Sequence, residues 1–244
     1  MIFVNRPKNR QKIQAFVQLC QTASHLLLFL LALLPALAIS SDCAELPPSS
    51  VSIKRQEAPV TENLQYSYKV LKGLGASYTR QDIEVLGLAR GMAITRFDMK
   101  STILTSPDKQ WECASISLSV TYGFSPMTVY VGKEFPKGSC AHNEIMQHEM
   151  LHVRAYTEHA KKIEPEITES LRQRFERSTP WRGAAGTSTQ KLQAEIDERW
   201  IPYLKRMLDR VNIEQRLIDS PEEYARVASS CDGAIKQRIS ASRR

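Results

Sequence analysis

The sequence predicts an α+β fold, a small antiparallel sheet followed by a helical half. Three observations carry this reading. Period-two alternation is confined to the chain before Gly138 and is clearest at 113–122, where Ile116, Leu118 and Val120 share one face. After Gly138 the apolar period becomes helical: at 100° per residue, Ile145, Val153, Tyr156, Ala160 and Ile163 fall on one arc. Strands first and helices later is the order of an α+β domain.

Taken in order, 39–64 is rich in Pro, Ser and Glu and reads as an extended lead-in. Strand alternation starts at 66–71. A short helix is expected over 81–89 and a strand over 93–105. The strand at 113–122 is followed by a turn at 123–126 and a short strand at 127–131. The first long helix runs over 141–164 and is expected to stop at Pro165, with a second helix over 166–177. A Gly/Ser/Thr loop at 178–190 leads to a long helix over 191–218, kinked at Pro202. Ser220 opens a last helix as N-cap, with Pro221 at its first position and Glu223 completing a capping box. Gly233 would end it, and the basic tail after Lys236 is expected to fray. Residues 65–244 form one domain on this reading.

The start of the chain has the pattern of an export signal. Four bases, Arg6, Lys8, Arg10 and Lys12, precede an apolar run from Leu26 to Ile39, and residues 1–38 hold no Asp or Glu. The run is short for a bilayer span of about 20 residues, and Ala36-Leu37-Ala38 supplies a small-x-small cleavage pattern. Residues 1–38 are therefore expected to leave as a signal peptide, with membrane contact only if they stay attached. Without them 29 basic and 26 acidic residues remain, a balance that gives no reason to expect a nucleic-acid partner. Cys43, Cys113, Cys140 and Cys231 then form an even set. In an oxidising compartment they are expected to make two disulfides, Cys113–Cys140 and Cys43–Cys231. The expected location is the periplasm or the medium.

The chemistry lies at 148–152, His-Glu-Met-Leu-His. On a helix His148 and His152 stand one turn apart on one side, so two imidazoles reach one Zn²⁺. Glu149, rotated by one residue, reaches a water at the metal and acts as its base. The pattern supplies metal, base and nucleophile for hydrolysis of a peptide or protein substrate. His159 is about 10 Å further along the helix axis, too far for the same ion. The third ligand stays open. Glu158 would need the helix to break at Ala155. Glu195 and Glu198 stand one turn apart on the long helix, and Glu223 has a competing capping role.

With these residues in place, the chain resembles the zincin peptidases. More closely it is similar to a family of exported bacterial proteins with a gluzincin-like signature. The matching stretches are 129–131, 138–141, the His-Glu-x-x-His helix, and 219–224 ahead of Cys231. The resemblance covers roughly 110–231. It implies a zinc-dependent hydrolase with a strand lining the cleft, and it favours Glu223 as third ligand. Val129-Tyr130-Val131 is the strand expected beside the helix, where it could pair with an extended substrate. An alternative of another class is a non-catalytic envelope protein on a zincin-like scaffold. It would bind partners through Glu195, Glu198, Arg199, Lys205 and Arg206.

Overall fold

A computed structural model of the chain describes residues 43–75 and 84–241. The expected signal peptide lies outside them. The body of the protein is Glu45–Arg244. It contains both helices and a sheet, as an α+β reading requires.

The sheet is mixed, not antiparallel. Its spine is β4 (Trp111–Val131), 21 residues long. β3 (Gly87–Thr105) runs antiparallel along one edge of the spine for its whole length. Along the other edge lie β5 (Trp181–Ala184, antiparallel), β1 (Ser50–Gln56, parallel) and β2 (Val60–Asn63, parallel) in succession. The stretch expected to be a lead-in therefore contributes two strands, and the loop expected at 178–190 contributes a third. β1 carries its own alternation, with Val51 buried and Ile53 packed against the core.

The turn expected at 123–126 is a bulge inside one strand. Buried positions of β4 are even-numbered from Ile116 to Phe124 and odd-numbered from Met127 to Val131. One extra residue has been absorbed, and β3 answers with a register shift between Gly91 and Ala93. Gly123 has φ +142°, and a Cβ there would stand 2.5 Å from the Gln56 carbonyl oxygen, so only glycine fits. The expected strand at 93–105 is present and begins earlier, at Gly87. Of the helix expected over 81–89, residues 81–83 lie outside the described set and 87–89 are strand.

The strand expected at 66–71 is instead α1 (Tyr68–Leu74). Ser67 caps it by accepting from the Val70 N–H, and its buried residues, Tyr68 and Leu71, have helical spacing.

The long helix α2 (Cys140–Phe175) runs straight through Pro165. Proline removes the donor to the carbonyl four residues back, which belongs to Lys161. Lys161 is exposed, so the lost bond falls on the solvent side of the helix. Buried Ile163, Ile167, Leu171 and Phe175 bind both halves of the helix to one core. Ser139 caps the start by accepting from His142 N–H at 3.1 Å. The expected apolar arc faces the sheet, with Tyr156 half-buried at its border and Phe124 4.7 Å away, ring to ring.

Beyond β5 the predicted long helix is broken into α3 (Ser188–Glu195), a π turn at Ile196–Trp200, α4 (Ile201–Asp209) and α5 (Val211–Ile218). The π turn directly precedes Pro202, where a kink was expected. Glu112 fixes the start of α3 by accepting from the Gly186 and Ser188 N–H groups at 2.6 and 2.7 Å. Hydrogen bonds from Ser188 and Gly186 hold its carboxyl down at about 2. Then come α6 (Pro221–Ser229) and α7 (Ala234–Ala241), with a short turn at Cys231–Gly233 between them. Ser220 caps α6 as expected, accepting from Glu223 N–H at 3.2 Å. Glu223 does not complete the capping box, because its carboxylate is used elsewhere.

Both expected cysteine pairings are wrong. Cys140 is bonded to Cys231, and Cys43 and Cys113 are also half-cystines. The observed bond ties the first residue of α2 to the turn after α6 and closes a loop of 91 residues. In the chain-entropy picture such a loop is worth about 4–5 kcal/mol. Disulfides mark an oxidising, non-cytoplasmic compartment. Among the described residues no helix is long and apolar enough to cross a membrane.

Candidate metal centre

His148 and His152 lie on the same side of α2, one turn apart and buried, with Glu149 buried between them. Their Nε2 atoms are 3.3 Å apart. Asp219 Oδ1 completes a triangle, 3.3 Å from His148 Nε2 and 3.1 Å from His152 Nε2. Asp219 is brought there by a corner. It is the non-helical C-cap of α5 and the residue before the Ser220 cap of α6, so its side chain turns back towards α2.

The remaining imidazole nitrogens decide what this triangle can hold. His148 Nδ1 faces Glu223 Oε1 at 3.2 Å and donates to it. His152 Nδ1 donates to Gln215 Oε1. The Gln215 amide is oriented because its Nε2 donates to the His152 carbonyl at 3.1 Å. With both protons on Nδ1, both Nε2 atoms present lone pairs, and Asp219 adds a third. Three lone pairs at this separation repel unless a proton or a metal cation sits among them. For tetrahedral geometry, edges of 3.1–3.3 Å place the centre about 2 Å from each atom, the bond length zinc takes with nitrogen and oxygen. The residues fit a metal ion.

The surrounding charges point the same way. Burial opposes protonation of His148 and His152, yet Asp219 and Glu149 outweigh it and raise both imidazoles. Burial pushes the Asp219 carboxyl up, and the two histidines bring it well below the usual range. Burial lifts the Glu149 carboxyl to about 7 against the pull of His152 and His148. The Arg226 guanidinium holds the Glu223 carboxyl down at about 2. Arg226 grips Glu223 with two hydrogen bonds of 2.8 Å and Glu144, back on α2, with a third at 2.8 Å. The His148–Glu223 contact is thereby fixed to both helices. Tyr224 hydrogen-bonds to Asp219, and its ring is 6.2 Å from that of His148.

The third position of the cluster therefore belongs to Asp219, with Glu223 behind His148 as its hydrogen-bond partner. Of the other candidates, Glu158 and Glu198 are exposed, and Glu195 is held by Arg174 at 2.8 and 2.5 Å. His159 is buried at the far end, bonded to the Met207 carbonyl oxygen at 2.9 Å. His142 joins Glu62 at 2.6 Å on β2. Gln215 and Gly87 were not singled out from the sequence, and Asp219 and Tyr224 entered only as part of the matching stretch 219–224, with no role assigned to either. The available signal was the four-residue spacing of Gln215, Asp219 and Glu223 across two helix ends.

Val129 to Val131 is not the strand at the cleft. It lies in the spine, with Val129 and Tyr130 paired on both sides by β2 and β3 and Val131 paired by β3. The cleft is walled instead by the start of β3, whose other edge is unpaired among the described residues. Glu149 accepts the Ala89 backbone N–H from that edge. Gly87 permits the close approach, since a Cβ there would stand 2.6 Å from Glu149 Oε1 and 2.7 Å from an Ile145 methyl. Gly87→Ala should push Glu149 away from β3 and lower stability by about 1–3 kcal/mol. Thermal melting of the variant tests this, and a wild-type melting temperature would show that the strand can retreat.

Fold and site together define an α+β protein in which one long helix and a later interhelical corner converge on a metal-competent His-His-Asp cluster. A scan of protein-family models, a search of curated proteins and a search of solved structures each returned no match.

Proposed function

We propose that the chain is an exported zinc-dependent peptidase of zincin type, released through its N-terminal signal to the periplasm or the medium. The observation that carries this reading is the convergence of His148, His152 and Asp219 at 3.1–3.3 Å beside a buried carboxylate. The carboxylate, Glu149, faces a cavity of about 990 Å³.

A zinc ion on the three residues supplies a Lewis acid and acidifies a water it binds. Glu149 takes the proton from the attacking water and returns it to the departing amine. Its burial raises the proton affinity of the carboxylate, which suits a general base. Glu223 and Gln215 hold the two imidazoles in the tautomer with free Nε2. The open edge of β3 offers backbone groups to an extended peptide beside Glu149. The partner-binding alternative loses its surface in part, since Glu195 is bound to Arg174 and Trp200 within the fold.

Purified protein should carry about one zinc per chain by elemental analysis. It should cut unfolded casein, lose that activity to a chelator and regain it with added zinc. Absence of bound zinc, or cleavage indifferent to chelator, would refute the reading.

A further inference from the structure

The charges lining the cleft are unequal in how they are used. Among the described residues three acids line it, and each is engaged. Glu84 faces Lys72 at 3.7 Å, Glu149 accepts from Ala89, and Asp219 is held between the histidines. Three bases also line it, Arg90 from β3, Arg216 from α5 and Lys236 from α7. None of the three side chains makes a hydrogen bond or ion pair among the described residues. The cations come from three separate elements around a largely apolar wall that includes Leu74, Val85, Leu88 and Met92.

A divalent metal in the cluster would be balanced by Asp219 and Glu149, so those two acids do not neutralise the three bases. The cleft therefore carries three exposed positive groups that no described acid pairs. Apolar walls of low dielectric strengthen such a field inside a concave site. Two of the cations are guanidiniums, whose planar forks match carboxylates. The edge of β3 that no described strand pairs runs along the same wall and suits an extended backbone. We propose that the cleft selects acidic peptides, whose Asp or Glu side chains are bound by Arg90, Arg216 and Lys236. The extended form of the ligand rests on the peptidase reading; the preference for carboxylates rests on the cations alone.

The test is binding, measured by fluorescence anisotropy on zinc-supplemented Glu149→Gln protein so that the probe survives. The probes are a fluorescein-labelled peptide of alternating Glu and Leu and its counterpart with Gln for every Glu. The acidic peptide should bind at least ~10-fold more tightly at low salt, and the gap should shrink at high salt. The triple variant Arg90→Gln/Arg216→Gln/Lys236→Gln should erase the gap with its melting temperature and zinc content retained. Rescue by Arg90→Lys/Arg216→Lys would place the effect in charge. Equal binding of the two peptides, no binding of either, or a gap that survives in the triple variant would overturn the proposal. A preference for the acidic peptide without its hydrolysis by the wild type would sink the peptidase reading and leave this one standing. Cleavage of casein with no such preference would do the reverse.

Discussion

Glu149→Gln should lower peptide hydrolysis by at least about two orders of magnitude while zinc content and melting temperature stay close to wild type. The substitution keeps side-chain length and leaves an oxygen to accept the Ala89 N–H, so the contact to β3 survives. It also removes a charge from a buried position, which does not threaten the fold. It takes away the only group on α2 next to the cluster that can accept a proton from water, because both imidazole Nδ1 atoms are committed to Glu223 and Gln215. Steady-state rates on a cleaved peptide, with zinc and thermal melting measured on the same preparation, check this. A variant that keeps wild-type rates would remove Glu149 from the mechanism. A variant that loses activity in proportion to folded protein would make Glu149 a structural residue.

How much of this was legible in the sequence follows from the range of the interactions involved. His148, Glu149 and His152 were legible because their geometry is local, set by helical spacing within a convincing helix. Ser139 and Ser220 cap helices for the same reason, each bonding three residues ahead. Asp219 was not legible because it meets His152 across 67 residues. Nothing local separates a ligand at a helix corner from an ordinary C-cap. Glu223 drew attention through its position in α6, and that position does bring it to the site, but one bond further out. The sheet was misjudged for a related reason. β1 and β2 pair in parallel with a strand more than 60 residues later, and their Pro, Ser and Glu content hid the alternation of Val51 and Ile53. Pro165 failed as a stop because the carbonyl it leaves without a donor is on the solvent side, while the apolar stripe continues past it. Cysteine pairing depended wholly on where α6 packs, and the residue count fixed only how many bonds to expect.

Asp219→Ala and Glu223→Ala should separate the residue that touches the metal from the one that orients its ligand. Asp219 Oδ1 stands 3.3 and 3.1 Å from the Nε2 atoms of His148 and His152. Its removal leaves two neutral ligands and no charged one. Zinc should then be lost from stoichiometric binding, with affinity down by about three orders of magnitude or more, on the scale of a missing ligand. Glu223 touches only the Nδ1 side of His148 and is shared with Arg226. Its removal frees the ring and lets the other tautomer compete, which costs about 10- to 100-fold in affinity and leaves a site that still fills when zinc is in excess. Competition with a chromogenic chelator measures both. The two variants also differ in what rescues them. Excess zinc should restore much of the activity of Glu223→Ala and little of that of Asp219→Ala. If Asp219→Ala kept tight zinc and Glu223→Ala lost it, the ligand would be Glu223, and His148 would have to turn so that Nδ1 rather than Nε2 faced the ion.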